Sequence, residues 1–249
     1  MTARIDRLWP DPAHELSDEE LVDGVTAETG TNVGLRVNFV ASIDGAATVD
    51  GRSGGMSGDG DKRRFEVLRR VSDAVIVGAG TVRIEGYGPL RVSDESATWR
   101  ATHGMREHPT FVIVTRSLRL DPGSRIFTDA PVRPVIVTTA SQENAVARAR
   151  FDDVADVIAA GDDTVDLSAA LDALRARGLT RLLCEGGPSL FGALLASDLV
   201  DELCLTVAPQ LNSGDARRIV DGASEHPRPM RLVEVLTSGS ELLLRYRRP

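Results

Sequence analysis

Short apolar runs alternate with amphipathic stretches along most of this chain. Leu35 to Ser42 is apolar and β-branched and predicts a strand, whereas Asp61 to Val71 places Phe65, Leu68 and Val71 at helical spacing. Further strands are predicted over Asp73 to Gly78, Thr110 to Thr115, Pro134 to Thr139, Val154 to Ala159, Thr180 to Cys184 and Glu202 to Ala208. Further helices are predicted over Asn144 to Arg150, Leu167 to Arg177 and Pro188 to Ala196. This alternation indicates an α/β fold with a mostly parallel central sheet flanked by helices.

The N-terminal residues depart from this alternation. Residues 1–33 are polar, and Ser17 and Glu20 have the spacing of a capping box, which predicts a short helix. We therefore expect an N-terminal arm over residues 1–33, followed by a single domain over residues 34–249.

The C-terminal residues predict a different local structure. Arg231 to Leu236 and Glu241 to Tyr246 flank Ser238-Gly239-Ser240, which indicates an antiparallel hairpin. The polar stretches Val92 to His108 and Asn212 to Pro229 are predicted as loops.

Composition narrows the class of protein. The chain has 249 residues and 42% hydrophobic side chains, which suits one large globular domain. Its net charge of −8 and pI of about 5.1 argue against a nucleic-acid partner. It contains no apolar run of about 18 residues that would span a membrane. With no signal-peptide pattern and two cysteines, Cys184 and Cys204, we expect a reducing, cytoplasmic location. The two cysteines are far apart and the four histidines form no metal-ligand cluster, so we expect no metal site.

Candidate binding chemistry lies where predicted strands end, because ligands of such sheets bind there. Cys184-Glu185-Gly186-Gly187-Pro188-Ser189-Leu190 places glycines before a helix, whose first amides attract anions. Gly78-Ala79-Gly80-Thr81 follows another strand, and Arg116-Ser117 offers a guanidinium and a hydroxyl for a phosphate. Tight turns and a solvated basic residue are the alternative interpretations.

Four motifs in a fixed order resemble the reductase domain of the riboflavin-biosynthesis bifunctional deaminase–reductase family, which has a dihydrofolate-reductase-like fold. They are NFVASIDG from Asn38, SDAVIVGAGTV from Ser72, LLCEGGPSLFGALL from Leu182 and LVDELCLTVAP from Leu199. The family's zinc deaminase requires H-x-E and P-C-x-x-C motifs, which this sequence lacks. We therefore expect a stand-alone reductase without the deaminase domain.

The resemblance implies NADPH as the cofactor and a homodimer as the assembly. The residues that it places along the cofactor are Gly78, Ala79, Gly80, Thr81, Gly186, Gly187, Pro188, Ser189 and Leu190, with Arg116 and Ser117 at the adenosine 2′-phosphate. It implies hydride transfer to C1′ of 5-amino-6-(5-phosphoribosylamino)uracil, which opens the ribose to a ribityl chain.

The resemblance also implies substrate-facing residues. Asp44 and Glu185 match acidic positions and are the candidate catalytic residues, while Asn38 and Ser57 are candidate binding residues, Ser57 matching a family threonine. A turn role for Asp44 and an orienting role for Glu185 in the glycine turn remain open alternatives.

One departure from the family concerns the substrate. Ala46 and Ala47 follow the Asp-Gly turn, where the family usually has Lys or Arg to match the substrate phosphate. The candidate replacements are Lys62, Arg63 and Arg91. Tyr87 could instead stack on a flat heterocycle such as a pterin. A dihydrofolate or pterin reductase is therefore the alternative function, with side activity on dihydrofolate-like compounds expected. A non-catalytic NADPH-binding module is the second alternative.

Overall fold

The computed structural model describes residues 3–26, 34–222 and 227–249. The strands are β1 (Asp6–Trp9), β2 (Leu35–Ser42), β3 (Ala74–Gly78), β4 (Thr110–Val114), β5 (Val135–Thr138), β6 (Asp156–Ala159), β7 (Leu182–Cys184), β8 (Glu202–Ala208), β9 (Arg231–Ser238) and β10 (Glu241–Arg247). The helices are α1 (Asp18–Thr26), α2 (Asp59–Arg70), α3 (Ala79–Glu85), α4 (Asp94–Thr102), α5 (Arg125–Thr128), α6 (Gln142–Ala147), α7 (Leu167–Arg175) and α8 (Pro188–Ala196), with a 3-10 turn over Arg148–Phe151.

All of these strands form one sheet in the order β1-β9-β10-β8-β2-β7-β3-β4-β5-β6. The pairs from β8 through β6 are parallel, whereas β10 runs antiparallel to both β8 and β9, and β1 runs antiparallel to β9. The predicted mostly parallel sheet with an antiparallel C-terminal hairpin is therefore confirmed. The bounds of β2, β8 and α8 are those predicted from the sequence.

The core occupies both faces of the sheet. Along β3, Val75 and Val77 belong to one buried cluster, whereas Ala74 and Ile76 belong to the cluster on the opposite face. This alternation follows from the two-residue period of a strand. Because both faces of the sheet are buried, every residue of the strand is apolar, so its sequence is one continuous apolar run. Helices cover both faces, as the sequence predicts.

The N-terminal segment, which was expected to be an arm, is packed against the same core. β1 pairs with β9, and Ile5 and Leu21 are 0% and 1% exposed in the cluster that contains Val75. The predicted capping box is present, because the Glu20 N–H donates to Ser17 Oγ at 3.2 Å and the Ser17 N–H donates to the Glu20 carboxylate at 2.7 Å.

The prediction of a loop over Val92 to His108 is wrong, since this stretch contains α4. The hydroxyl of Ser93 caps the helix by accepting from Ser96 N–H at 3.2 Å. Arg100 is 1% exposed and donates to the carbonyl of Ser72 at 2.6 Å and to that of Arg70 at 2.9 Å. On α4, the buried guanidinium of Arg100 thus takes the place of an apolar side chain, and this helix lacks the regular apolar spacing by which a helix is predicted from sequence.

Within the described ranges, no helix is both long enough and apolar enough to cross a membrane. Cys184 and Cys204 are free and buried on β7 and β8, and burial raises the pKa of the Cys184 thiol to about 12 and that of Cys204 to about 11.

Candidate active site

A cavity of about 1000 Å³ opens at the carboxyl ends of β2, β3 and β7. The candidate site residues that line it are Asn38, Ser57, Gly78, Gly80, Thr81, Tyr87, Glu185, Gly187, Pro188, Ser189 and Leu190. The candidate residues that do not line it are Asp44, Ala79, Arg91, Arg116, Ser117 and Gly186. The structure thus brings the two glycine turns together with three of the predicted substrate-binding residues, Asn38, Ser57 and Tyr87, in one cavity.

The two glycine turns contact each other through their main chains. The N–H of Gly78 donates to the carbonyl of Gly186 at 2.8 Å. Gly186 has a φ of 93°, and a Cβ there would lie 2.8 Å from the Phe39 ring. A Cβ on Gly187 would lie 2.3 Å from Thr81 Oγ1. Gly186 is therefore limited to glycine by the Phe39 ring and by its backbone conformation, whereas a Cβ on Gly187 would require the Thr81 hydroxyl to move.

The start of α8 faces this cavity. Gly187 is the N-cap residue and makes no side-chain capping bond, while Pro188 occupies the first turn. The first intrahelical bond runs from Phe191 N–H to Gly187, so the N–H groups of Ser189 and Leu190 precede it. Both residues line the cavity. Free amides and the positive end of the helix dipole suit an anion such as a diphosphate.

Two residues of the cavity wall, Glu185 and Tyr87, belong to a buried ionic group with Arg69, which does not itself line the cavity. Arg69 donates to both carboxylate oxygens of Glu185, at 2.6 and 2.7 Å, and the hydroxyl of Tyr87 donates to Glu185 at 3.0 Å. Burial, and then the charge of Glu185, raises the pKa of Tyr87 well above its usual range, so the phenol stays protonated. The Tyr87 ring also packs on Phe111, with centroids 5.8 Å apart.

Asp44 lies at the edge of the cavity and contacts a distant loop. Its carboxylate accepts from Ser42 Oγ, from the Ser213 N–H at 2.7 Å and from the Asn212 N–H at 3.2 Å. These hydrogen bonds, that of Ser42 first, lower the pKa of Asp44 to about 2. The carboxylate therefore holds the loop at Asn212 and Ser213 against the Asp-Gly turn.

The candidate replacements for the missing cation are dispersed. Arg91 donates to the Asp129 carbonyl at 2.9 Å, and Arg63 pairs with Asp18 at 2.7 Å. Neither of these arginines lines the cavity, whereas Lys62 does.

Arg116 and Ser117 are exposed directly after β4, at the same edge of the sheet. The carbonyl of Arg116 accepts from Asn144 Nδ2 at 2.9 Å, which fixes the main chain there. Their side chains lie outside the cavity, beside the end that holds the glycine turns.

Comparison with known proteins identifies the family. Residues 34–244 match the RibD C-terminal domain, a span that covers most of the chain. The chain belongs to the RibD C-terminal domain family. The family predicted from the four motifs is thereby confirmed.

Two relatives of this RibD C-terminal domain are archaeal enzymes named 2,5-diamino-6-ribosylamino-4(3H)-pyrimidinone 5′-phosphate reductase. The one from Methanothermobacter thermautotrophicus is 33% identical over 187 residues, which is 75% of this chain and 82% of the relative. The one from Archaeoglobus fulgidus is 33% identical over 190 residues, which is 76% of this chain and 86% of the relative. A solved structure of a pyrimidine reductase-like protein from Corynebacterium diphtheriae superposes with a TM-score of 0.83 at 29% identity, covering 93% of this chain and 98% of that one.

Sequence reasoning missed two arginines of this RibD C-terminal domain. Arg69 pairs with Glu185 from a position 116 residues away in the chain, and Arg217 lines the cavity from the loop after β8. Neither has a local signal, because an arginine on a helix or in a polar loop has the pattern of a solvated residue. No cluster of metal-ligating side chains occurs in the parts of the chain that the structure describes.

Proposed function

We propose that this chain is an NADPH-dependent reductase of riboflavin biosynthesis that reduces a phosphoribosylaminopyrimidine at C1′ of the ribosyl group. The observation that carries the proposal is the contact between the two glycine turns at the start of α8, in a chain of this family. The names of the two archaeal relatives support a pyrimidine substrate. They favour the 2,5-diamino compound over the deaminated uracil.

The open space beside the glycine turn at Gly80 supports the proposal that NADPH is the cofactor. A Cβ on Gly80 would meet no atom within 4 Å, so the main chain there is open to a ligand. The amides of Ser189 and Leu190 would hold the diphosphate, while Arg116 and Ser117 would contact the adenosine 2′-phosphate. When bound, NADPH supplies the hydride.

The substrate half of the cavity is lined by Asn38, Ser57 and Tyr87, which we assign to substrate binding. Ser57 Oγ donates to the buried Asp61, so its lone pairs are available to accept from a donor on the substrate. Glu185 is our candidate for stabilising positive charge that develops near the reacting carbon C1′ during hydride transfer. Because Arg69 and Tyr87 both donate to its carboxylate, it would act as an acceptor rather than as a proton donor.

The test is an absorbance assay of NADPH oxidation with three substrates compared directly: the 2,5-diaminopyrimidinone ribosyl phosphate, its deaminated uracil counterpart and dihydrofolate. We expect turnover of at least one pyrimidine, with the diamino form preferred. Turnover of dihydrofolate alone would establish the alternative reductase. NADPH binding without turnover of any of them would establish a non-catalytic module.

We also propose a homodimer, from an apolar face of the sheet. In the register, Leu242, Leu244 and Tyr246 of β10 lie opposite Val207, Leu205 and Leu203 of β8. These side chains share one face and are all partly or fully exposed, Leu242 at 39%. Light scattering should show that Leu242→Glu converts a dimer to a monomer, whereas Val146→Glu, at an exposed apolar residue on α6, should not. A cytoplasmic location likewise remains a prediction.

A further inference from the structure

The cavity has few positive charges for an anionic substrate. Among its described lining residues, the cationic side chains are Lys62 and Arg217. The acidic side chains that line it are Asp50, Asp61, Glu85, Glu185 and Asp215. A substrate phosphate therefore has few cations in the cavity lining with which to form charge-assisted hydrogen bonds.

Hydrogen bonds place Arg217 beside the position where the sequence lacks a cation. The Ala47 N–H donates to the carbonyl of Arg217 at 2.7 Å, and the Ile43 N–H donates to the carbonyl of Gln210 at 3.0 Å. Between these two bonds, Asp44 accepts from the main chain of the loop at Ser213. The loop that contains Arg217 is thus held against the Asp-Gly turn along its length.

The chain just after Arg217 contacts the cofactor half of the cavity through Asp221. The Asp221 N–H donates to the Pro188 carbonyl at 3.2 Å, and Ser189 Oγ lies 3.4 Å from the Asp221 carboxylate. Arg217 Nη1 is 3.8 Å from the same carboxylate, beyond hydrogen-bond distance, and its side chain is 70% exposed. The guanidinium is therefore weakly held, and Arg217 lines the cavity.

We propose that Arg217 is the residue that recognises the 5′-phosphate of the substrate, and that Asp44 is a positioning residue that holds the 210–217 loop in place for it. The inference rests on the proposed function, since it names the group that distinguishes the phosphorylated pyrimidine from other substrates. Lys62 is the weaker candidate because its ammonium lies 3.4 Å from Asp59, and a single ammonium lacks the paired donors of a guanidinium.

The decisive measurement is calorimetric binding of ribose 5-phosphate, which does not require turnover. Arg217→Met should raise its dissociation constant about 10- to 100-fold, as expected for the loss of a charge-assisted contact. Arg218→Met is the matched control, because Arg218 is exposed next in the chain and does not line the cavity. We expect no change with this control.

Kinetics test the positioning role of Asp44. Asp44→Asn and Arg217→Met should both raise KM for the phosphorylated substrate, with a smaller rise for Asp44→Asn. Both variants should leave the dissociation constant of NADPH unchanged, and they should leave KM for the dephosphorylated substrate unchanged. A merely structural role would alter all three quantities together.

Several outcomes would overturn the inference. They are equal affinity of the wild type and Arg217→Met for ribose 5-phosphate, no binding by the wild type, or a loss caused by Lys62→Met and not by Arg217→Met. Failure of the proposed function is a separate result, because it would appear as no pyrimidine turnover by the wild type whatever the binding of ribose 5-phosphate.

Discussion

The two sides of the cavity are built by different kinds of contact. On the cofactor side, the turn at Gly78 meets the turn at Gly186 through a main-chain hydrogen bond of 2.8 Å, and the Phe39 ring leaves no room for a Cβ on Gly186. On the substrate side, the carboxylate of Asp44 contacts the amides of a loop more than 160 residues away in the chain. The cofactor side depends on the absence of a side chain at Gly186, and the substrate side depends on the single charged side chain of Asp44.

This difference explains how the two sides should respond to substitution. A steric requirement at a buried turn cannot be relieved by solvent, so substitution there should affect folding as well as binding. An exposed carboxylate that organises a loop can be replaced partly by water, so its loss should affect affinity far more than stability.

Gly186→Ala should have the largest effect. The left-handed φ of 93° and the 2.8 Å approach to the Phe39 ring each oppose a Cβ. Together they should lower the free energy of unfolding by about 3–5 kcal/mol, measured by urea denaturation. A loss below about 1 kcal/mol would mean that the turn readily adopts another conformation.

Gly80→Ala is the matched control for this turn. A Cβ there would meet nothing within 4 Å, and the residue lies in the first turn of α3, where alanine is tolerated. We expect stability within about 0.5 kcal/mol of the wild type. If NADPH lies along this turn, its affinity should nevertheless fall.

Arg69→Met should come next, through the ion pair with Glu185. The Glu185 side chain is 1% exposed and that of Arg69 is 16% exposed, so substitution leaves a buried carboxylate with Tyr87 as a remaining donor. We expect destabilisation of about 2–4 kcal/mol by thermal or urea unfolding. The double variant Arg69→Met/Glu185→Gln should be less destabilised than Arg69→Met, because no unpaired charge remains. The opposite order would contradict this account of the pair.

The sequence predicts the cofactor side better than the substrate side for a physical reason. The glycines before α8 and the apolar runs of β2 and β8 are local signals, and the structure reproduces the predicted bounds of these elements. The partners of Asp44 and Glu185 lie far along the chain, so no local pattern indicates them. The sequence pattern does not indicate α4, because a charged residue, Arg100, occupies a buried position on this helix.

The pairing of β1 in the sheet is also not predictable from local sequence, because its partner strand lies far along the chain. β1 is four residues long and lacks a regular apolar alternation, yet it pairs with β9 at the opposite end of the chain. Its strand conformation depends on that partner, which the sequence of β1 does not specify.

Arg116→Ala tests the far end of the cofactor side. If Arg116 contacts the adenosine 2′-phosphate, its loss should raise the Michaelis constant for NADPH about tenfold and leave that for NADH nearly unchanged. Arg119→Ala provides the control, since Arg119 is also exposed and lies three residues further along the chain. Equal losses with NADPH and NADH would remove Arg116 from this role.

Asp44→Asn should have only a small effect on stability, and its pH dependence should report the loop contact. The pKa of Asp44 is lowered to about 2 from its ordinary value of 3.8 by the hydroxyl of Ser42 and then by the amides of Ser213 and Asn212. Because the folded state holds the charged form, the contact stabilises the fold above about pH 4 and is lost as the pH falls toward 2. The difference in thermal midpoint between the wild type and Asp44→Asn should therefore be constant from pH 5 to 7 and shrink below pH 4. Taking this difference removes the titration of other carboxylates that both proteins share. A difference that does not change between pH 7 and pH 2 would mean that the charge of Asp44 does not hold the loop.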